Sequence, residues 1–222
     1  MDLQAYDRIL KQCEEHEATL VAVSKTKPIE DIKELMNAGQ LDFGENKVQE
    51  LSQKHEQISD GIHWHMIGHL QRNKVKYMAE FVHLVHSIDS LRLLKEIDKQ
   101  GKRVGRKIPV LLQMHIAQES SKFGLDEKEL NELLTEIHNI PLVGASISGF
   151  MGMATFTEDK AQVESEFRFL REVFERYRAD ERLNGQEMQT LSMGMSGDYE
   201  IALACGSNMI RVGSLLFGAR NY

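Results

Sequence analysis

Cysteine is nearly absent. Cys13 and Cys205, the only two in 222 residues, are too few and too far apart for a disulfide framework or a thiolate zinc site. Proline occurs three times and no low-complexity tract interrupts the chain, so there is no obvious linker and residues 1–222 read as a single domain. Basic residues are outnumbered, 27 Lys and Arg against 34 Asp and Glu, and the net charge of -7 argues against a nucleic-acid partner. No apolar run is long enough to span a bilayer, and Met1-Asp2-Leu3-Gln4 has neither the basic start nor the apolar stretch of a signal peptide. A cytoplasmic protein with no membrane partner is the expectation. The first strand lacks G-x-G-x-x-G, which removes the main support for a dinucleotide fold.

What is present is alternation. Leu3, Tyr6, Ile9, Leu10 and Cys13 have helical spacing, predicting a helix over 3–17 that packs on the outside of the remaining chain. Strands are predicted near 20–25, 41–44, 62–67, 82–85, 108–116, 142–149, 189–193 and 209–212. Helices are predicted over 29–38, 46–51, 73–81, 90–100, 126–137, 160–177 and 198–204. Eight such units in a little over 200 residues, 41% of them hydrophobic, fit one α/β domain, a (β/α)8 TIM barrel with an extra N-terminal helix, better than an open doubly wound sheet.

The chain is organised around Leu20-Val21-Ala22-Val23-Ser24-Lys25-Thr26-Lys27-Pro28, an apolar strand ending in a lysine and followed by a proline able to start a helix. Val21, Val23 and Lys25 share one face of such a strand. Burial would lower the lysine pKa and leave an amine able to form a Schiff base with a carbonyl. On its own the stretch favours a solvated strand-end lysine, since perturbed lysines are the minority.

In a barrel, chemistry sits where strands hand over to the following loops, which gathers Lys25, Asn46, His65 and Arg211 at one mouth. The small and hydroxylated residues Ser192, Gly194, Ser196 and Gly197 follow the seventh strand, and Gly213-Ser214 follows the eighth. Two such turns after consecutive strands suit a phosphate held by backbone N–H groups and hydroxyls. Arg211 shares a face with Met209 and Gly213 and would point inward, where a guanidinium needs an acceptor: a ligand nitrogen or an acidic neighbour.

These residues resemble the pyridoxal-phosphate homeostasis proteins, which share the barrel of bacterial alanine racemase. The resemblance runs nearly the whole chain: residues 21–28, Phe43-Gly44-Glu45-Asn46, the stretch from Trp64 to Lys74, residues 119–124, Gly149-Phe150-Met151, and Leu191 to Ser196 through Phe217-Gly218. It implies a fold-type III barrel binding pyridoxal 5′-phosphate as an imine on Lys25, with Arg211 facing the pyridine nitrogen. It also implies that Ser192, Ser196, Gly213 and Ser214 cradle the phosphate and that Asn46, His65 and Met193 line the ring. One departure is Met153-Ala154-Thr155-Phe156, where the family pattern often carries a proline.

An arginine opposite the ring nitrogen disfavours its protonation and makes the ring a weaker electron sink than one facing a carboxylate. The sequence ends at Tyr222, so the second domain that completes a two-base racemase is not expected. The leading expectation is therefore a monomeric protein that binds, buffers and hands over pyridoxal phosphate to apo enzymes, with no catalytic residue assigned. The alternatives are a weak racemase or related pyridoxal-phosphate enzyme, and a cofactor-free barrel acting on sugar phosphates through a lysine imine. His63, His65 and His69 suggest no metal centre without a neighbouring carboxylate or thiolate pattern. His83 and His86 suggest nothing specific. Arg72, Asn73 and Lys74 read as a solvated helix start or as a docking patch for a partner or a second phosphate, and residues 119–124 as a polar cover or turn.

Overall fold

The computed structural model describes residues 1–118 and 124–218, so most of the polar segment 119–124 and the last four residues lie outside the described part. Eight parallel strands close into one barrel in the order β1 to β8. They are β1 (Thr19–Val23), β2 (Asp42–Glu45), β3 (His63–Met66), β4 (Leu84–Ile88), β5 (Ile108–Gln113), β6 (Ala145–Met151), β7 (Thr190–Ser192) and β8 (Met209–Val212). The helices are α1 (Leu3–Glu15), α2 (Ile29–Asn37), α3 (Val48–Gln57), α4 (Leu91–Val104), α5 (Glu127–Asn139), α6 (Lys160–Arg178), α7 (Tyr199–Ala204) and α8 (Ser214–Phe217). The expected (β/α)8 architecture with an extra N-terminal helix is what the chain adopts.

Local chemistry explains the helix starts. Asp2 caps α1 through Ala5 N–H, Ser90 caps α4 through Leu93 N–H, and Asp126 and Glu129 form a reciprocal capping box on α5. Pro28 stands one position earlier than predicted, as the N-cap of α2. Several predicted elements differ in their bounds: the helix expected over 46–51 runs Val48–Gln57, the strand expected over 142–149 is Ala145–Met151, and the strand expected over 108–116 ends at Gln113. The helix expected over 73–81 is a 3-10 helix at Arg72–Tyr77, and β4 lies two residues later than 82–85. For β4 a short apolar run admits several registers, and tertiary contacts choose among them.

The core has two parts. Val21, Leu84, Leu111, Met151 and Met209 fill the barrel interior, and a larger cluster lies between strands and helices. α8 has four residues, and α1 packs beside it, with Asp2 N–H donating to Leu216 O (2.9 Å); α1 also meets α7, where Tyr199 Oη donates to Gln12 Oε1 (2.8 Å). Cys13 and Cys205 are both free and buried. Among the described residues no helix is long and apolar enough to cross a membrane.

Candidate functional site

Lys25 follows β1 and is half-buried, and its two chain neighbours are pinned. Ser24 Oγ donates to Glu45 Oε1 (2.6 Å). Lys54 Nζ, reaching in from α3, donates to Ser24 O (2.8 Å), Glu45 Oε1 (2.7 Å) and Glu50 Oε1 (2.8 Å). Glu50 Oε1 in turn accepts from Thr26 N–H (2.6 Å). Thr26 has φ +65°, a left-handed conformation that a β-branched residue adopts only where its surroundings enforce it. The Glu45–Lys54–Glu50 group supplies that enforcement on both sides of Lys25. Burial lifts the Glu45 carboxyl above its ordinary range, opposed by the Lys54 ammonium and the Ser24 hydroxyl.

The turns after β7 and β8 meet this segment. Lys27 Nζ donates to Phe217 O (2.7 Å), tying the Lys25 turn to α8. Ser196 Oγ accepts from Gly213 N–H (3.2 Å), and Ser214 opens α8 on the exposed side. A Cβ on Gly213 would lie 3.0 Å from Val23 O, so the glycine lets the end of β8 lie close against β1. Met193 is fully buried just beyond β7, with its N–H bonded to Met209 O (3.2 Å).

Arg211 points into the barrel, as predicted, and is 4% exposed. Its Nη1 donates to Ser192 Oγ (2.5 Å) and its Nη2 to Gly152 O (3.1 Å), so both hydrogen bonds go to neutral oxygens. Burial lowers its pKa to about 10, with Asp198 opposing, and it stays cationic at neutral pH.

From Ser192 the contacts continue across the interior. His86 Nδ1 lies 3.2 Å from Ser192 Oγ, His86 Nε2 lies 2.9 Å from His65 Nδ1, and His65 Nε2 lies 2.9 Å from Asp42 Oδ1. Burial pushes the pKa of both His65 and His86 down, so both rings are neutral. One proton assignment then satisfies every atom: Arg211 donates to Ser192, Ser192 to His86, His86 to His65, and His65 to Asp42. Sequence reasoning placed His65 beside a ring and Ser192 at a phosphate. In the structure these two side chains stand inside the barrel and serve the chain that ends on Arg211. Lys25, Asn46, Met193, Ser196, Gly213 and Ser214 do gather at the carboxyl-terminal mouth. His86 was missed because β4 was predicted two residues early. The i, i+2 spacing of Leu84 and His86 was the available signal, since Leu84 is an interior residue.

Residues 2–221 match the family model described as "Alanine racemase, N-terminal domain". The pyridoxal phosphate homeostasis protein of Haemophilus influenzae is 39% identical over 206 residues, covering 91% of this chain and 85% of that protein. Its counterpart from Aquifex aeolicus is 37% identical over 222 residues, covering 97% and 95%. The chain belongs to the pyridoxal-phosphate homeostasis protein family. PipY of Synechococcus elongatus, solved with pyridoxal phosphate bound, superposes with a TM-score of 0.82 at 33% identity, covering 91% of this chain and 93% of that one. Alanine racemase from Bartonella henselae shares the fold, with a TM-score of 0.71 at 17% identity, covering 99% of this chain and 60% of that one. In this member of the homeostasis family Asn46 is held at the mouth by backbone packing. A Cβ on Gly68 would lie 2.4 Å from Asn46 O, so the β3 loop can pass there only as glycine.

Proposed function

We propose that this protein binds pyridoxal 5′-phosphate covalently through Lys25 and buffers and delivers it to apo enzymes, as a single-domain cytoplasmic monomer without efficient turnover. The observation that carries the reading is the buried, cationic Arg211. Its side-chain hydrogen bonds go to neutral oxygens, and only the Asp198 carboxylate opposes the cost of burying its charge, which suits a ligand acceptor at the mouth. Two further features suit the group: Gly213, which lets the end of β8 lie close against β1, and the pinned turn that follows Ser24 and carries Lys25.

When bound, pyridoxal phosphate supplies an aldehyde carbon open to amines and a ring that accepts electrons. The residues here divide the work of holding it. Lys25 contributes the amine, its direction set by Ser24 and Thr26. Ser196 and Ser214 present hydroxyls to the phosphate, with the Gly213 N–H holding Ser196 Oγ in place. Arg211 faces the ring nitrogen and disfavours its protonation, while Ser192, His86, His65 and Asp42 fix the guanidinium in place. Asn46 and Met193 border the ring. The guanidinium at that nitrogen weakens the ring as an electron sink, which favours storage over turnover. The names of the curated relatives point the same way.

The purified full chain mixed with pyridoxal phosphate is expected to gain a visible absorption band that Lys25→Ala abolishes. No band in the unmutated protein would support a barrel acting on other phosphates. The competing reading, a weak racemase, is read in the same preparation. Deuterium exchange at the α-carbon of added amino acids stays at background for a carrier and rises for an enzyme.

A further inference from the structure

Asp42 opens β2, His63 opens β3 and His83 immediately precedes β4, so the three residues share the amino-terminal mouth of the barrel, opposite Lys25. The parallel register pairs Asp42 with His63, and His83 N–H donates to Trp64 O (2.8 Å), which sets His83 beside them. His63 Nδ1 lies 3.1 Å from Asp42 Oδ1, and the rings of His63 and His83 stack at 4.3 Å with 16° between planes. One donor atom from each residue lies within 4.8 Å of the other two.

We propose that Asp42, His63 and His83 bind a divalent transition metal of the zinc class, with a fourth position left to water. Two imidazole nitrogens and one carboxylate oxygen are the ligand set of open three-ligand zinc sites, and imidazole selects such metals over magnesium or calcium. Bonds of about 2.0–2.1 Å in a tetrahedron need donor atoms about 3.3 Å apart. His63 and His83 are exposed, so modest side-chain rotations close the difference.

The surroundings of the triad are already built. Asp42 Oδ1 also accepts from His65 (2.9 Å), which orients the carboxylate from within the barrel. Arg106 donates to Glu80 O (2.9 Å) and Val82 O (2.8 Å), fixing the segment that leads into His83. The sequence pattern suggested no metal because the carboxylate comes from another strand, 21 residues before His63. His69 takes no part: it pairs with Asp89 (3.4 Å), beyond the other end of β3.

The test is titration of the untagged, chelator-stripped full chain with Co2+, followed by visible absorption. One equivalent is expected to give the intense bands of four-coordinate cobalt, and Zn2+ to bleach them. His63→Ala and His83→Ala, both at exposed positions, should keep the circular dichroism of the fold and weaken binding by at least about tenfold. Asp42→Asn, which keeps an acceptor for His65, should do the same, and His16→Ala should change nothing. Absence of four-coordinate bands, or undiminished binding by His83→Ala, would overturn the proposal.

Discussion

Arg211 Nη1 donates to Ser192 Oγ at 2.5 Å, where the serine is fully buried and the arginine nearly so. The same hydroxyl faces His86 Nδ1 at 3.2 Å, so one oxygen serves a cation and a neutral ring. Ser192→Ala removes the partner of Arg211 Nη1 and of His86 Nδ1, while Arg211 keeps Gly152 O and His86 keeps His65. The expected cost is about 1–3 kcal/mol, read as a lowered urea midpoint with an unchanged slope. An unmoved midpoint would mean the hydroxyl does not hold Arg211.

Arg211 also lends itself to a spectroscopic prediction. Arg211→Met replaces the guanidinium by an apolar chain of similar length, a change that buried ionic groups often tolerate. On the proposed placement of Arg211, the variant is expected to retain covalent pyridoxal phosphate and to shift its absorption spectrum, because the ring nitrogen would no longer face a fixed cation. A spectrum identical to that of the unmutated protein at every pH would place Arg211 away from the ring.

Lys54 is the cation between Glu45 and Glu50, with its side chain 7% exposed. Lys54→Met strands the fully buried Glu45 carboxylate and releases Ser24 O. A stability loss of about 3–5 kcal/mol is expected, as for other broken buried pairs. Attachment of pyridoxal phosphate to Lys25 should slow in the folded protein, because the turn beyond β1 loses its anchor. Unchanged attachment kinetics would show that the clamp serves stability alone.

Asp98, on α4, sets a pH limit on the fold. Its Oδ1 accepts from Val143 N–H and Gly144 N–H, both at 2.7 Å, and Lys102 Nζ bonds Oδ2 (2.6 Å). Burial works to raise its pKa, but the Lys102 ammonium and the two N–H groups more than offset that and hold it below the ordinary value. A depressed carboxyl contributes stability above its unfolded pKa of about 4 and loses it as the pH falls through the folded value. Stability of the unmutated protein should therefore drop below about pH 4, and Asp98→Asn should flatten that drop. Parallel acid-unfolding curves for the two proteins would contradict this role.

The barrel was legible because its strands are short apolar runs between turn residues, and Ile108 to Gln113 and Met209 to Val212 stand where the pattern put them. The mouth was legible because strand ends are set by strand positions, which brought Lys25, Asn46 and Arg211 together without any knowledge of contacts. The histidine chain was not. Residues 81–88 are apolar or aromatic at nearly every position, so periodicity could not choose the start of β4, and His86 was placed at a strand end instead of in the interior. Nor could spacing reveal that His65 meets His86 and Asp42, since those contacts depend on barrel closure and on the register of β2, β3 and β4.

The most direct measurement tests the proposed covalent bond between pyridoxal phosphate and Lys25. Borohydride reduction of the pyridoxal-phosphate-loaded protein, followed by proteolysis and mass spectrometry, should find one phosphopyridoxyl group on Lys25. A modification spread over surface lysines, or fixed on another residue while Lys25 stays unmodified, would contradict the site described here.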